Sequence, residues 1–203
     1  MPTEQELFWK SDFGINYTNR NLGDNLILNK VNLFSQILNT IKIDSLFEIG
    51  CNRGLNLNAI KKINKNISLN GIEINKVAYE LLNSQKICDK LYNESILNLN
   101  IKNKFDLVFT KGVLIHINPE KLNEVYNKIY ELSNKYILIA EYYSRDVREI
   151  NYRGHDNKLY KRDFCGELMD KYPDLKLLDY GFIYYRDPKF PLDDITWFLL
   201  EKY

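Results

Sequence analysis

The chain has 203 residues, of which 45% are hydrophobic and 27% charged, which is typical of one compact domain with its own core. Its 28 basic and 27 acidic side chains give a formal net charge of +1, so no overall field favours nucleic acid or an anionic membrane surface. No apolar run approaches the roughly 20 residues of a membrane span, and the 3 cysteines form no C-x-x-C pair, which predicts a cytoplasmic protein without a disulfide framework or a metal site.

The amino-terminal segment, residues 1–24, places four aromatic side chains among polar neighbours. This spacing predicts a short helix or a cap folded over another part of the molecule. Apolar residues then follow the 3, 4 repeat of an amphipathic helix over residues 25–40. A short apolar run at 45–50 ends in glycine and precedes a further helical stretch, which predicts a strand, a tight turn and a helix.

The alternation of strands and helices continues through the chain. Further strands are predicted at 67–74, 91–92, 105–109 and 136–140, and helices at 77–87 and 122–132. This order favours a doubly wound, mainly parallel α/β sheet with helices on both faces. After residue 141 the pattern becomes polar and aromatic, which predicts a loop or insertion near an active site, then a helix at 163–171 and two antiparallel edge strands around 175–178 and 196–200.

These elements favour a single domain, residues 1–203, with three parts. Residues 1–24 form an amino-terminal cap or lid, and residues 25–141 form a ligand-binding core. Residues 142–203 supply a substrate-side insertion and the carboxyl-terminal strands.

The first strand ends in Glu48-x-Gly50-x-Asn52-x-Gly54 and leads directly into a helix. Glycines at such a turn let the backbone approach a ligand, and the helix amino terminus favours polar or charged groups, so the turn suits a nucleotide-type ligand. The spacing differs from the Gly-x-Gly-x-x-Gly of dinucleotide-binding folds, which disfavours hydride chemistry. An ordinary strand-to-helix turn explains the glycines equally well when the turn is considered alone.

Glu73 ends the second strand about 20 residues after the glycine turn, where a carboxylate can accept hydrogen bonds from both ribose hydroxyls. A surface glutamate at a strand end is the alternative. Thr110, Lys111 and Gly112 end the fourth strand, and we expect them to border the ligand crevice because it lies at the carboxyl ends of the strands. Asp106 begins that strand at the far edge, and we assign it a structural role.

Glu48, Gly50 and Gly54 resemble the first motif of the class I S-adenosylmethionine-dependent methyltransferases, with Asn52 where a middle glycine is usual. The resemblance implies the Rossmann-like methyltransferase fold with seven strands, and S-adenosyl-L-methionine as the cofactor. It also implies that Glu48 lies under the cofactor's amino group, directly or through water. The cofactor-binding residues expected on these grounds are Trp9, Tyr17, Glu48, Gly50, Cys51, Asn52, Gly54, Glu73, Ile74, Ser95, Ile96, Thr110, Lys111 and Gly112.

The two histidines of the sequence are the candidates for a general base. His116 follows an apolar stretch, and His155 lies in the polar segment. A histidine of ordinary pKa near 6.5 can take a proton from a hydroxyl or amine during methyl transfer. The alternative for His116 is simple packing at the start of the next helix.

Segments along nearly the whole chain resemble a smaller group, the pseudaminic acid biosynthesis-associated methylases. The similar segments are residues 8–21, 48–54, 71–75, 111–117, 142–143, 153–154, 158–160 and 162–164. This likeness implies an acceptor among nonulosonic acids or their nucleotide-linked precursors. The implied acceptor-binding residues are Tyr142, Tyr143, Arg153, Lys158, Tyr160 and Arg162.

Arginine pairs bidentately with carboxylate or phosphate, so Arg145 and Arg148 are candidates for the acceptor together with those residues. A solvated basic face is the alternative interpretation of this run. Trp9, Phe13 and Tyr17 suit either a lid over the ligand or ordinary core packing, and the polar neighbours, Asn21 among them, favour the lid.

These observations favour O- or N-methylation of a small polar metabolite, a sugar or nucleotide sugar, without nucleic-acid or membrane partners. Two other functions stay open from the sequence. Methylation of protein or RNA would call for an appended module or a strongly basic surface. A non-catalytic domain would bind the cofactor and act through a partner protein.

Overall fold

The computed structural model describes residues 1–20 and 24–203, so the predicted role of Asn21 falls outside the described residues. In this part, the helices are α1 Glu4–Lys10, α2 Asp12–Arg20, α3 Asp24–Leu38, α4 Leu55–Ile63, α5 Lys76–Ser84, α6 Leu122–Leu132 and α7 Phe164–Lys171. The strands are β1 Ser45–Ile49, β2 Ser68–Ile72, β3 Lys90–Tyr92, β4 Phe105–Lys111, β5 Ser133–Glu141, β6 Arg148–Glu149, β7 Tyr160–Lys161, β8 Leu175–Ile183 and β9 Ile195–Lys202.

Seven strands form one sheet in the order β3-β2-β1-β4-β5-β9-β8. The first five strands of this order are parallel, and β9 runs antiparallel to both β5 and β8. The predicted doubly wound, mainly parallel sheet with an antiparallel carboxyl-terminal edge is therefore confirmed. Because the chain order reverses at β1 and β4, the sheet has a switch point there, where α/β folds bind ligands.

The central parallel strands β1 and β4 bury both of their faces, and their successive side chains point to opposite sides of the sheet. Leu46 of β1 packs with Leu107 of β4 in the cluster that contains α3 and α4 residues. Phe47 and Val108 point the opposite way into the cluster that contains α6 and α7 residues. The helices therefore cover the sheet from both sides and leave its carboxyl-terminal rim open.

Asp106 has the structural role that its position predicted. Its carboxylate accepts hydrogen bonds from the backbone N–H groups of Asp44 (2.8 Å) and Ser45 (3.1 Å). It thereby ties the start of β4 to the start of β1. This end of the strands is opposite the rim where β1 leads into the glycine turn.

The amino-terminal cap and the polar segment after β5 contain more regular structure than the sequence indicated. The amino-terminal cap consists of two helices, and Thr3 with Glu6 forms a capping box at the first. The polar segment after β5 contains a small two-stranded sheet of β6 and β7, which the sequence predicted only as a loop or insertion.

Over the described residues, none of the helices is both long and apolar enough to cross a membrane.

Candidate cofactor and acceptor site

A cavity of about 550 Å³ lies at the carboxyl ends of the parallel strands, under the amino-terminal helices. This volume is in the range of about 300–1,000 Å³ that small-molecule sites occupy. We call the lining that follows β1, β2 and β3 the first wall; it includes Gly50, Cys51, Asn52, Glu73, Ile74, Ser95 and Ile96. We call the lining that follows β4 and β5 the second wall; it includes Lys111, Gly112, His116, Tyr142, Tyr152 and Arg153.

The turn after β1 depends on three residues in the left-handed conformation, Gly50 (φ 72°), Asn52 (φ 46°) and Gly54 (φ 79°). A Cβ at Gly50 would come within 2.6 Å of a Val113 methyl group, and one at Gly54 within 2.3 Å of Leu82. Asparagine tolerates this conformation better than most side chains, so Asn52 can stand where the related motif has glycine. Gly54 packs against α5 and does not line the cavity, which corrects its expected contact with the cofactor.

The Asn52 side chain also forms two hydrogen bonds that a glycine could not form. Its Nδ2 donates a hydrogen bond to Thr18 Oγ1 of α2 at 3.0 Å, and its Oδ1 accepts one from the Arg53 N–H at 2.8 Å. The turn and the amino-terminal helices are thus joined at the edge of the cavity.

Glu73 lies beside this turn and is only 6% exposed. Its two carboxylate oxygens accept the backbone N–H groups of Asn52 and Asn75, each at 2.7 Å. Burial raises the pKa of Glu73, and these backbone hydrogen bonds partly oppose the shift. The carboxylate is therefore held in one orientation on the cavity lining, as its predicted role requires.

Glu48 is 1% exposed and lies behind the first wall, outside the cavity lining. Its Oε1 accepts a hydrogen bond from Asn56 Nδ2 at 2.5 Å, and its Oε2 has no partner among the described residues. Burial raises its pKa to about 8, against the hydrogen bond from Asn56 and the positive charge of Lys30. The structure therefore does not place Glu48 for direct contact with a cofactor, and this corrects the direct form of its expected role.

Lys30 completes this arrangement from α3. Its Nζ donates to Asn56 Oδ1 at 2.7 Å, so Asn56 connects Lys30 with the Glu48 carboxylate. Lys30 and Asn56 line the cavity in front of Glu48. Lys30 is not among the site residues expected from the sequence, although it occupies a position between Leu26 and Phe34 where the repeat of the amphipathic helix calls for an apolar side chain.

Ser95 and Ile96 line the cavity after β3, as predicted. Ser95 is buried, and its Oγ accepts the Leu97 N–H at 3.2 Å. A hydrogen bond between Ser95 and Glu6 of α1 contributes to a lowered pKa of Glu6, against the effect of its burial. This end of the first wall offers an apolar surface from Ile96 beside polar groups.

The loop after β4 forms part of the second wall and is fixed by Glu141, which is not among the site residues expected from the sequence. The buried Glu141 carboxylate accepts the N–H groups of Val113, Leu114 and Ile115 at 3.0 to 3.4 Å. Burial raises its pKa to about 7. Lys111 and Gly112 border the cavity as predicted, whereas Thr110 is fully buried within β4 and does not reach it.

His116 lies on the second wall between two aromatic rings. Its ring centroid is 4.7 Å from that of Trp9 and 4.9 Å from that of Tyr152. The Nδ1 atom is 2.6 Å from the Lys158 carbonyl oxygen, and because a carbonyl only accepts, Nδ1 carries the proton. Burial lowers the pKa of His116 to about 4, so the ring is neutral near pH 7 and Nε2 keeps its lone pair.

The amino-terminal helices close over both walls. Asn75 Nδ2 donates to the Trp9 carbonyl oxygen at 2.9 Å, and Asn118 Nδ2 donates to Gln5 Oε1 at 3.0 Å. Trp9 and Tyr17 line the cavity, while Phe13 packs on Phe8 with ring centroids 4.2 Å apart. The cap therefore combines a lining role for two aromatics with ordinary packing for the third.

Several residues predicted for the acceptor lie away from the cavity. His155 is exposed and packs against Phe8 and Phe13, so its position does not suit a general base. The buried Lys158 pairs with Glu4 of α1, and the Arg162 Nε donates to Glu167 Oε1 at 2.6 Å. These contacts join the insertion to α1 and α7.

The remaining predicted acceptor residues lie partly on the cavity lining and partly outside it. Tyr143 is 45% exposed and packs on Phe198, and the Tyr160 hydroxyl contacts Asn157. Arg145 and Arg148 are exposed outside the cavity. Of the predicted acceptor residues, Tyr142 and Arg153 are on the lining. In the basic run, Arg145 and Arg148 form a solvated face, which is the alternative interpretation, whereas Lys158 and Arg162 pair with acids.

Several solved structures that match this chain are methyltransferases. The chain matches the 1,6-didemethyltoxoflavin-N1-methyltransferase of Burkholderia thailandensis, solved with its 1,6-didemethyltoxoflavin and S-adenosylhomocysteine, at a TM-score of 0.73 and 14% identity, covering 100% of this chain and 90% of that one. It matches the magnesium protoporphyrin IX methyltransferase of Synechocystis PCC 6803 with bound S-adenosylmethionine at a TM-score of 0.69 and 12% identity, covering 100% and 99%.

A methyltransferase from Clostridium acetobutylicum ATCC 824 described as S-adenosylmethionine-dependent matches at a TM-score of 0.62 and 13% identity, covering 94% of this chain and 98% of that one. The chain therefore has the Rossmann-like methyltransferase fold that the motifs implied. No family model matches the sequence, and no curated protein matches it.

Proposed function

We propose that this protein is an S-adenosylmethionine-dependent methyltransferase that acts on a small polar acceptor. The observation that carries the proposal is the contact between Glu73 and the glycine turn, where the Asn52 N–H donates to the carboxylate at 2.7 Å. A fixed carboxylate beside a glycine turn at a sheet switch point is suited to a nucleoside whose ribose hydroxyls donate to the acid.

The residues of the first wall fit the cofactor. Glu73 would accept from the ribose hydroxyls, and Gly50 lets the backbone approach because it has no Cβ. Ser95 and Ile96 would contact the adenine, as the family resemblance implies. The unpartnered Oε2 of Glu48 leaves a buried acceptor behind Asn56 at the end that would hold the methionine part.

The second wall would hold the acceptor. The bound cofactor supplies a methyl group already activated by the sulfonium, so the protein's task is to align an acceptor atom with it and exclude water. Trp9 and Tyr17 of the cap cover the cavity. The neutral His116 ring, held by the Lys158 carbonyl, would accept the proton that leaves a hydroxyl or amine during transfer.

The finer part of the proposal concerns the acceptor class. The resemblance to the pseudaminic acid biosynthesis-associated methylases supports a sugar or a nonulosonic-acid-related compound, methylated on oxygen or nitrogen in the cytoplasm. The polar side chains of the second wall, Tyr142, Tyr152 and Arg153, are suited to a hydroxylated ligand. The fold is also that of methyltransferases with quite different acceptors, so the acceptor rests on the resemblance and on this wall alone.

Two measurements test this function. Isothermal titration should detect binding of S-adenosylmethionine and of S-adenosylhomocysteine at micromolar or lower Kd. Incubation with methyl-labelled cofactor and a panel of sugars, nucleotide sugars, nonulosonic acids and amines should then transfer label to one class. If neither S-adenosylmethionine nor S-adenosylhomocysteine binds, the enzymatic proposal is wrong. Binding without transfer to any small molecule, but with transfer to protein or RNA, would replace the acceptor class.

A further inference from the structure

Two lysines lie together on the lining of the cavity although they come from distant parts of the chain. Lys30 belongs to α3, and Lys111 is the last residue of β4. Both face the cavity, and their electrostatic interaction with each other is among the main influences on the charge state of Lys30. The fold thus brings two lysine amino groups to one place beside the switch point of the sheet.

The two lysine amino groups are not directly paired with acids. Among the side chains of residues 1–20 and 25–203, neither lysine forms an ion pair with a carboxylate. The acids that act on them are Asp193 before β9, which lines the same cavity, Glu48 behind Asn56 and, on Lys111, Glu141. Burial and the neighbouring Lys111 lower the pKa of Lys30 well below its ordinary value, and burial lowers that of Lys111. An anion bound between the two lysines would offset both the burial of their charges and their mutual repulsion.

We propose that Lys30 and Lys111 together bind the carboxylate or phosphate of an anionic acceptor. This inference rests on the proposed function, because the anion would lie next to the bound cofactor. S-adenosylmethionine carries one carboxylate against an ammonium and a sulfonium, so it adds positive charge to a wall that already holds two lysines. An acidic acceptor supplies the direct counter-charge that neither lysine has among the described residues. The lysine pair then takes the anion-recognition role that the sequence suggested for the basic run of residues 145–162.

Three ligands that differ only at carbon six test the proposal, namely glucose, glucuronate and glucose 6-phosphate. They are titrated calorimetrically into the protein saturated with S-adenosylhomocysteine. We expect glucuronate or glucose 6-phosphate to bind at least tenfold more tightly than glucose, and which acid is preferred distinguishes a carboxylate from a phosphate. Equal affinities for all three ligands would overturn the proposal.

Two variants assign the preference to the lysines. Lys30→Met and Lys111→Met keep much of the side-chain volume and remove a charge that burial already disfavours. Each should abolish the preference for the acidic sugar, with thermal unfolding as the check on folding. The exposed Lys65→Met serves as the matched control and should keep it. A preference that survives in both cavity variants would overturn the assignment.

The cofactor's own carboxylate is the competing occupant. To separate the two, Lys111→Met is titrated with S-adenosylhomocysteine and with 5′-methylthioadenosine, which lacks the amino-acid part. We expect both affinities to stay within threefold of the wild-type values. A tenfold loss for S-adenosylhomocysteine alone would assign the lysine to the cofactor and overturn the proposal. Failure of the wild-type protein to bind S-adenosylhomocysteine would instead contradict the underlying function.

Discussion

The two walls of the cavity are built in different ways. The first wall is fixed by backbone at strand ends, with Glu73 held by two N–H groups and the turn held by residues of positive φ. The second wall consists of side chains from distant segments, with His116 held by the insertion and Lys111 facing Lys30. A backbone site suits a ligand that does not vary, whereas a side-chain site can change its acceptor without changing the fold.

This difference predicts separable effects. Substitutions in the first wall should change the Kd of the cofactor. Substitutions in the second wall should change turnover or the KM of the acceptor while cofactor binding stays close to normal. The predictions below test that separation, beginning with the largest expected effect.

Glu73→Ala should weaken S-adenosylhomocysteine binding at least about 100-fold, because charge-assisted hydrogen bonds are each worth about 1.5–3 kcal/mol and the turn also loses its acceptor for the Asn52 N–H. Isothermal titration measures the change. Glu80→Ala, on the exposed side of α5, is the matched control and should leave the affinity unaltered. An affinity within threefold of wild type in Glu73→Ala would remove the ribose assignment.

His116→Gln should lower kcat by roughly 10- to 100-fold, since general-base catalysis contributes about 10² or more and glutamine keeps only a hydrogen-bond donor for the Lys158 carbonyl. The affinity for S-adenosylhomocysteine should stay within threefold. Label-transfer kinetics with the identified acceptor provide kcat. Unchanged turnover would show that His116 serves packing between Trp9 and Tyr152 alone.

The same substitution has a pH signature. Burial lowers the pKa of folded His116 to about 4, below the ordinary 6.5, so between these values the unfolded chain binds more protons and stability falls as the pH falls. The contribution of the neutral ring is present above pH 6.5 and is lost through about pH 4. His116→Gln should therefore show a smaller drop in Tm between pH 7 and pH 4.5 than wild type. An equal drop would contradict the buried, neutral state of the ring.

The sequence predicted the first wall well because its residues are neighbours in the chain or follow strands at a fixed spacing. Glycines after β1 and an acid at the end of β2 are sufficient to locate Glu73 beside the turn. The exceptions follow from burial. Glu48 and Thr110 belong to the interior, and a strand's alternation does not tell which of its polar side chains reaches the surface of a cavity.

The second wall could not be predicted in the same way because it depends on tertiary contacts. A basic run such as residues 145–162 looks the same whether its side chains face a ligand or pair with acids, and here Lys158 and Arg162 pair with Glu4 and Glu167. The one lysine of the cavity that the sequence could have indicated is Lys30, because it is a charged residue on the apolar stripe of α3. Its partner Lys111 is found only when the sheet order is known.

The dual role of Asn52 gives a sharper test of the first wall. Asn52→Gly should keep the turn, since glycine adopts φ near 46° freely, and should bind S-adenosylhomocysteine within threefold of wild type. Asn52→Val should lose about tenfold, because a β-branched residue at this φ costs about 1–3 kcal/mol. Calorimetry on both variants gives the comparison. Equal losses would show that the bond to Thr18, rather than the backbone conformation, governs binding.

The smallest expected effect separates the second wall from the basic face outside it. Arg153 borders the cavity beside Tyr152, 5.9 Å from its ring, so Arg153→Ala should raise the acceptor KM about threefold to tenfold, as loss of one partly exposed charged contact allows. Arg148→Ala, exposed on β6, is the matched control and should change KM by less than twofold. Steady-state label transfer measures both. Equal increases would mean that the whole basic face attracts the acceptor, and the boundary of the second wall would then have to include the insertion.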